Sequence, residues 1–360
     1  MSVSTEQIAT RTAGDYADQL LQAALGTIEV MSIYLGGRLG WYRALADGEP
    51  ATPKELIARA GGNERYAREW LEQQAVYGLL EVEEGVARRF SLSPAAAEVL
   101  TDPHNLNYLA PLARMLSASA IQLPKLADAF RDGGGVNWAE FGEDARESQA
   151  DMNRPWYEKA LPAALARVPE VHEVLQRPGA RLADIGFGFG WSSIALAKAY
   201  PQATVHGFDL DRPSVDAATR NAVVAGVDDR VQFSPADAAA IDDESFDAIF
   251  AFECIHDMAH PVEVLTAARR ALKPDGVMVV MDEAVAESFT APGDDTEKLM
   301  YGFSILLCLA DGLSHDHSVG TGTVMRPATL RRYARQAGFR DVAVLPIDDF
   351  GFWRFYRLHV

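Results

Sequence analysis

Short apolar runs alternate with helical stretches through the C-terminal half of the chain. Five runs, at 182–185, 203–210, 231–233, 246–252 and 277–281, are predicted to form strands in that order. Segments of helical periodicity separate most of them, and a turn is predicted at 272–276, before the fifth. Two further runs, at 341–347 and 352–358, lie close enough to pair as a closing hairpin. The pattern predicts an α/β domain with a doubly wound, mostly parallel sheet that ends in an antiparallel strand.

The N-terminal part of the chain shows helical periodicity followed by a hairpin pattern. Apolar residues cover much of a helix predicted over Asp15–Tyr34, and such a surface needs burial against another chain or domain. A short helix opened by Thr52 and Pro53 follows, and then a helix over Glu64–Tyr77. Leu79–Leu92 has the pattern of a β-hairpin. The order of helix, turn, helix and hairpin resembles a winged helix.

These patterns divide the chain of 360 residues into three segments. We expect an N-terminal helical and winged-helix domain over 1–102, a helical connector over 103–177, and the α/β domain over 178–360. Within the connector, the glycines at 133–135 and the pair Arg154-Pro155 predict breaks between helices.

The most informative stretch joins the first strand of the α/β domain to the following helix. Three glycines stand at alternate positions behind an acid, in the sequence Asp184-Ile185-Gly186-Phe187-Gly188-Phe189-Gly190. Glycine suits a turn with unusual dihedral angles where a ligand approaches main-chain N–H groups. A dinucleotide fingerprint would place its third glycine at position 191, which is Trp191. The spacing therefore indicates a nucleotide-like cofactor of another kind, and a tight turn without a ligand is the alternative.

The pattern D-x-G-x-G-x-G resembles motif I of the class I S-adenosylmethionine-dependent methyltransferases. The stretches Asn63–Leu71 and Thr323–Pro327 make the chain similar to a bacterial branch of that family, which has an N-terminal winged-helix domain. The resemblance implies a Rossmann-like sheet of seven strands, S-adenosyl-L-methionine as cofactor, and a connector that covers the substrate pocket.

The same resemblance assigns roles to residues at the ends of the predicted strands. Asp209 ends the second strand, where an acid can accept both ribose hydroxyls, and Asp237 follows the third strand, beside the expected adenine amino group. Tyr157 is the candidate for a contact to the methionine end. The residues expected to bind the cofactor are Asp184, Gly186, Gly188, Gly190, Asp209, Leu210, Asp237, Ala238, Phe252 and Tyr157.

Polar residues also follow the fourth and fifth predicted strands, at the sheet edge where open α/β sheets bind ligands. Glu253 and His256 come after the fourth strand, and Glu283 comes after the fifth. Methyl transfer requires donor and acceptor in line and, for some acceptors, a base. We expect His256 to take the proton of the acceptor or to hold the acceptor, with Glu253 and Glu283 as the next candidates. Local packing at the start of a helix is the alternative for His256.

The charge of the chain argues against two classes of partner. The formal net charge is −18, which opposes binding to nucleic-acid phosphates and to anionic membranes. The second helix of the winged helix carries more acidic than basic residues, and the wing adds Glu81, Glu83 and Glu84. In many small-molecule methyltransferases this module serves dimerisation. We therefore expect a homodimer that binds a small-molecule substrate and no nucleic acid.

Cysteine usage and the N-terminal sequence bear on the cellular compartment. The two cysteines, Cys254 and Cys308, lie in apolar stretches and are expected to be reduced, buried thiols. The N-terminus lacks the basic start and apolar core of a signal peptide, and no apolar run is expected to reach the roughly 18 residues of a membrane span. The sequence predicts a cytoplasmic protein.

Two remaining features leave their roles open. His315 and His317 flank Asp316, but further ligands are not clustered nearby, so no metal site is predicted. Arg326 can meet either an anionic substrate group or a local acid.

The sequence thus predicts methyl transfer from S-adenosylmethionine to a small molecule, with oxygen, nitrogen, carbon or sulfur open as the acceptor atom. One alternative is an enzyme of the same fold that catalyses a reaction other than methylation. The other is a winged-helix regulator that senses the cofactor.

Overall fold

The computed structural model describes residues 11–83, 85–241 and 246–360, so Glu84 of the predicted wing and the first ten residues lie outside the described part. The described residues form two compact units, one reaching Asp102 and including Asn107–Ser117, the other made of Pro103–Leu106 and Ala118–Val360. The predicted division into three segments stays a prediction.

The helices are α1 (Ala13–Arg38), α2 (Pro53–Ala60), α3 (Glu64–Val76), α4 (Pro94–Thr101), α5 (Ala110–Ile121), α6 (Leu123–Asp132), α7 (Trp138–Pro155), α8 (Leu161–Ala166), α9 (Pro169–Leu175), α10 (Trp191–Ala199), α11 (Arg212–Ala225), α12 (Pro261–Ala271), α13 (Asp295–Phe303), α14 (Leu309–Leu313) and α15 (Pro327–Gln336). The strands are β1 (Glu81–Glu83), β2 (Arg89–Ser91), β3 (Arg181–Ile185), β4 (Thr204–Asp209), β5 (Val231–Pro235), β6 (Phe246–Phe252), β7 (Leu272–Glu283), β8 (Asp341–Val344) and β9 (Trp353–His359).

The first unit has the predicted winged-helix order, with α2 and α3 followed by the antiparallel pair β1 and β2. Thr52 begins α2 through a capping box with Glu55, and the Asn63 side chain caps α3. The rings of Trp41 and Tyr42 pack edge-on against Trp70 in the core of this unit. The predicted opening at Thr52 therefore locates the start of α2, and the structure adds Asn63 as the cap of α3.

Helix α1 is longer than predicted and largely exposed. It extends beyond the expected 15–34 at both ends, and side chains such as Leu20 (72% exposed) and Ile28 (54%) face outwards. Among the described residues it is the one helix whose length and apolar composition satisfy a membrane-span criterion, which corrects the expectation that no segment is long enough. A helix that buries its apolar face against a partner satisfies the same criterion.

The second unit contains the predicted doubly wound sheet. Seven strands of the described chain lie in the order β5-β4-β3-β6-β7-β9-β8, with β9 antiparallel to both of its neighbours and the other pairs parallel. The closing hairpin is confirmed. The turn predicted at Leu272–Gly276 is wrong in detail, because these residues already belong to β7, where a register shift beside β6 absorbs them.

The connector helices are broken at one of the two predicted places. Helix α6 ends at Asp132, before the glycine run, as expected. Pro155 is the last residue of α7 but does not interrupt the helical backbone, because the next turn, Trp156–Ala160, is a π-helix that leads directly into α8. The kink lies instead at Gly142, whose φ of 78° interrupts α7. The straight part of α7 therefore runs from residue 143 to residue 155.

Candidate active site

The glycine loop after β3 combines close packing with an open approach. All three glycines have positive φ, and a Cβ atom on Gly186 would lie 2.7 Å from the Cβ of Cys254. A Cβ atom on Gly190 would lie 2.6 Å from the ring of Phe233. By contrast, a Cβ atom on Gly188 would meet nothing within 4 Å. Two of the glycines therefore allow tight packing, and the third leaves a stretch of main chain open to a ligand.

Asp209, at the end of β4, is held by main-chain N–H groups. Gly188 donates to Oδ2 at 2.9 Å, and Asp211 donates to Oδ1 at 2.8 Å. Burial raises the pKa of Asp209 to about 6, although these hydrogen bonds oppose the shift. The carboxyl group is thus oriented on both oxygens, and each oxygen keeps capacity to accept a further hydrogen bond.

Asp184 is fully buried behind the glycine loop. Its Oδ2 accepts hydrogen bonds from Ser192 Oγ and Ser193 Oγ at 2.6 Å each. Its Oδ1 has no hydrogen-bond partner in the described part of the chain. Burial raises the pKa of Asp184 to about 6. An unpaired, buried carboxylate oxygen at this place suits a cationic group.

Glu253 follows β6 with a strained backbone. Its φ of 51° lies in the left-handed region, which is unusual for a residue other than glycine and is common at functional sites. The Glu253 carboxylate accepts hydrogen bonds from Asn153 Nδ2 and, at 3.4 Å, from Gln149 Nε2, both on α7. Burial raises the pKa of Glu253 to about 7.

His256 lies among three carboxyl groups and is only 3% exposed. Its Nδ1 atom is hydrogen-bonded to Asp282 at 3.0 Å and lies 3.2 Å from Glu283 Oε2, while Nε2 lies 3.2 Å from Asp257 Oδ1. Burial opposes the charged ring, but the carboxylates of Asp257, Glu283 and Asp282 outweigh it and raise the pKa of His256 well above its ordinary value. The surrounding carboxylates thus favour the protonated form of the imidazole.

The other predicted cofactor residues differ in how they are placed. Tyr157 and Phe252 pack together, with ring centroids 5.7 Å apart, and both are buried. Ala238 is buried, whereas Asp237 is exposed and caps a short turn through Ala239 N–H. Leu210 is exposed beside Asp209. The loop after β5 adjoins the loop after β4, because Ala236 N–H donates to Asp209 O.

Sequence reasoning missed the contribution of α7 and of Asp282. Arg146, Gln149 and Asn153 of α7 contact the loops after β4 and β6. Their spacing of three and four residues places them on one helix face, but the sequence does not indicate what that face contacts.

Arg326 and the pair His315 and His317, whose roles the sequence left open, are not among the described residues that contact the glycine loop, Asp209 or Glu253. Arg326 pairs with the local acid Glu297 at 2.9 Å and donates to Ala286 O. His315 lies near Asp311, and neither His315 nor His317 belongs to a group of possible metal ligands among the described residues. His256 does lie in two such groups among the described residues, one with Asp257 and Cys308 and one with Asp282 and Glu283.

Comparison with known proteins gives the family of the chain. Family models for a methyltransferase domain and for an Rv2258c-like winged HTH domain match residues 183–280 and 26–102. The chain is 30% identical over 185 residues to 27-O-demethylrifamycin SV methyltransferase of Amycolatopsis mediterranei (strain S699), and the alignment covers 48% of this chain and 68% of that one. The chain belongs to the class I S-adenosylmethionine-dependent methyltransferases. Two other curated methyltransferases are covered for only 41% and 39% of their length.

Solved structures support the fold of this methyltransferase over nearly its whole length. The mitomycin 7-O-methyltransferase MmcR has a TM-score of 0.73 at 20% identity, with 96% of this chain and 98% of that chain covered. Human N-acetylserotonin methyltransferase, solved in complex with S-adenosylmethionine, has a TM-score of 0.73 at 16% identity, with 97% and 99% covered. The predicted family, fold class and cofactor are confirmed.

The residues at this sheet edge fit S-adenosylmethionine. The cofactor carries an ammonium and a sulfonium group, and the site offers an unpaired Asp184 oxygen, an oriented Asp209 carboxyl group and the open main chain at Gly188. Desolvated carboxyl groups with raised pKa values gain a counter-charge when a cation binds.

We expect Gly188→Ala to weaken S-adenosylmethionine binding by about tenfold or more, because the new methyl group projects into the open approach. Gly226→Ala is the matched control, since Gly226 also has positive φ (67°) and nothing within 4 Å of its Cβ position. Both changes should lower the melting temperature through similar backbone strain. Calorimetry that finds equal affinities for the two variants would contradict a ligand at Gly188.

Proposed function

We propose that the protein transfers the methyl group of S-adenosylmethionine to a hydroxyl oxygen of a small molecule. The observation that carries this proposal is the convergence of the loops after β3, β4 and β6, which brings Gly188, Asp209 and the segment from Glu253 to His256 to one sheet edge. Oxygen is favoured as the acceptor atom because the relatives include ubiquinone biosynthesis O-methyltransferases, 35% identical over 101 residues.

We propose the cofactor contacts that the resemblance to the family implies. Asp209 accepts the ribose hydroxyls, and Asp237 and Ala238 line the adenine side. Asp184, Gly186 and Tyr157 lie toward the methionine end. The remaining contacts are assigned to Gly188, Gly190, Leu210 and Phe252. When bound, the cofactor supplies an electrophilic methyl group on its sulfonium.

His256 takes the proton of the acceptor hydroxyl in this proposal. The hydrogen bond between Nδ1 and Asp282 fixes the ring and leaves Nε2 as the atom that exchanges the proton. Asp257 Oδ1 lies near Nε2 but makes no hydrogen bond within the described residues. Glu283 contributes to the charge around the ring, and Glu253, with a pKa of about 7, is the second candidate for the base.

The proposed reaction is tested by product analysis. Deuterium-labelled S-adenosylmethionine is incubated with the protein and a panel of phenols, hydroxyquinones and amines, and products are identified by mass spectrometry and NMR. We expect labelled methoxy groups in products of hydroxyl compounds. Labelled N-methyl products alone would overturn the choice of oxygen, and cofactor turnover without any methylated product would favour a different reaction.

The role of His256 is tested by the pH dependence of turnover. A base must be neutral to take a proton, and the pKa of His256 is raised, so kcat should rise with pH in a range higher than that of an ordinary histidine. His256→Ala should lower kcat by about 10²–10⁴ with cofactor affinity retained. Asp257→Asn removes a charge that raises the pKa of His256, so the rise in kcat should move to lower pH. A rise centred near pH 7 that disappears in Glu253→Gln would instead make Glu253 the base.

We propose further that the first unit serves as a dimerisation module in a cytoplasmic homodimer. The arginines of its second helix are paired with acids, Arg65 with Glu69 at 2.5 Å and Arg68 with Glu64 at 3.6 Å, which leaves little positive charge for DNA. Asp15, Asp18 and Glu29 make α1 acidic and unsuited to anionic lipid. A second copy is therefore the expected cover for its apolar face.

Light scattering at micromolar concentration should return about twice 39.2 kDa for the unmodified chain. Leu20→Glu places a charge in the proposed interface and should shift the mass toward that of one chain. Val224→Glu, at an exposed position on α11, is the matched control and should leave the mass unchanged. A monomeric wild-type protein, or one that sediments with lipid vesicles, would contradict the proposal.

A further inference from the structure

A polar stripe on α7 reaches over the glycine loop to both of its neighbouring loops. Arg146, Gln149 and Asn153 share one face of the helix. Arg146 contacts Asp211 after β4, and the other two contact Glu253 after β6. Strands β4 and β6 flank β3 in the sheet, so the stripe bridges the loops on either side of the glycine loop.

The contact between Arg146 and Asp211 is bidentate and largely shielded from solvent. Arg146 Nε donates to Oδ2 at 2.7 Å, and Nη2 donates to Oδ1 at 2.9 Å. The two side chains are 11% and 15% exposed. Burial opposes ionisation of Asp211, but the hydrogen bonds from Arg146 and Ser214 hold its pKa below the ordinary value. A bidentate guanidinium–carboxylate pair of this kind fixes the orientation of the Asp211 side chain and also compensates its charge.

The position of Asp211 in turn affects Asp209, because the main chain of Asp211 donates a hydrogen bond to the Asp209 carboxyl group. The Asp211 side chain caps α11 by accepting from Ser214 N–H at 3.0 Å and from Ser214 Oγ at 2.6 Å. Its main-chain N–H donates to Asp209 Oδ1 at 2.8 Å, while Gly188 N–H holds the other oxygen. Arg146 is thus connected through Asp211 to the carboxyl group assigned to the ribose.

We propose that Arg146 is a positioning residue for the cofactor ribose, which acts by holding Asp211 so that the Asp211 N–H orients Asp209. This inference rests on the proposed placement of the ribose at Asp209. Loss of the guanidinium leaves Asp211 desolvated without a counter-charge beside Asp209. The loop then relaxes toward solvent, and Asp209 loses one of the two N–H groups that orient it.

The experiment compares two ligands that differ only at the ribose. Calorimetry measures binding of S-adenosylhomocysteine and of its 2′,3′-dideoxyribose analogue, which lacks both hydroxyls. Arg146→Gln should weaken S-adenosylhomocysteine binding roughly three- to thirtyfold and leave binding of the analogue nearly unchanged. Arg212→Gln is the matched control, because it removes a positive charge next to Asp211 from an exposed residue paired with Asp216. That variant should change neither affinity.

Equal losses for the two ligands would overturn the proposal, since they would show that Arg146 only tethers α7. Unchanged affinity for both ligands would overturn it as well. If Arg146→Gln does not fold, Arg146→Lys is measured instead. This variant keeps the positive charge but cannot make the bidentate contact, so we expect a smaller loss of S-adenosylhomocysteine affinity, again without a loss for the analogue.

A separate variant distinguishes failure of this inference from failure of the proposed function. Asp209→Ala should weaken S-adenosylhomocysteine binding but not binding of the dideoxyribose analogue. If Asp209→Ala binds both ligands as the unmodified protein does, the placement of the ribose is wrong. If Asp209→Ala weakens binding of S-adenosylhomocysteine but not of the analogue, and Arg146→Gln affects the two ligands equally, only the role of Arg146 is wrong.

Discussion

Burial of carboxyl groups without a matching cation is the constraint on which the site depends. Asp184, Asp209 and Glu253 gather at the carboxyl edge of the sheet, and burial raises the pKa of each into the range of about 6 to 7. Such groups destabilise the fold as pH rises through their folded pKa values, because the unfolded chain ionises more readily. In the proposed placement of the cofactor, its ammonium group supplies a counter-charge to Asp184, and the stability that the free protein loses by burying this acid is recovered as binding affinity.

The connector helix α7 completes this arrangement from outside the sheet. Arg146 neutralises Asp211, and the amides of Gln149 and Asn153 satisfy Glu253 without adding charge. The choice of residue type is consistent with the two roles: a guanidinium where a carboxylate must stay ionised, and amides where a carboxyl group must keep a pKa near neutrality. Gly142 allows α7 to kink before this stripe begins.

The sequence predicted what short-range signals specify. The glycine loop, Asp209 at the end of its strand, the start of α2 at Thr52 and the closing hairpin all follow from patterns within a few residues. The contacts of Arg146 and Asn153 could not be predicted, because they depend on where a helix docks and not on its periodicity. The helix break predicted at Pro155 was wrong for a related reason. A π-helical turn follows this proline, and tertiary packing rather than local sequence selects such a turn.

His256 carries a positive charge when protonated, whereas Asp184 and Asp209, which are assigned to the cofactor, carry negative charge when ionised. An acceptor hydroxyl that loses its proton becomes an anion, and a protonated imidazole on the acceptor side stabilises that anion. Carboxylates close to the sulfonium would stabilise the cationic ground state more than a transition state in which charge is being neutralised. Catalysis is therefore best served when the buried acids act at the ribose and at the ammonium group, while Asp282 stabilises the positive charge that His256 acquires on taking the proton of the acceptor. The separation of Asp209 and Asp184 on the β3 and β4 side from His256 on the β6 side is consistent with that requirement.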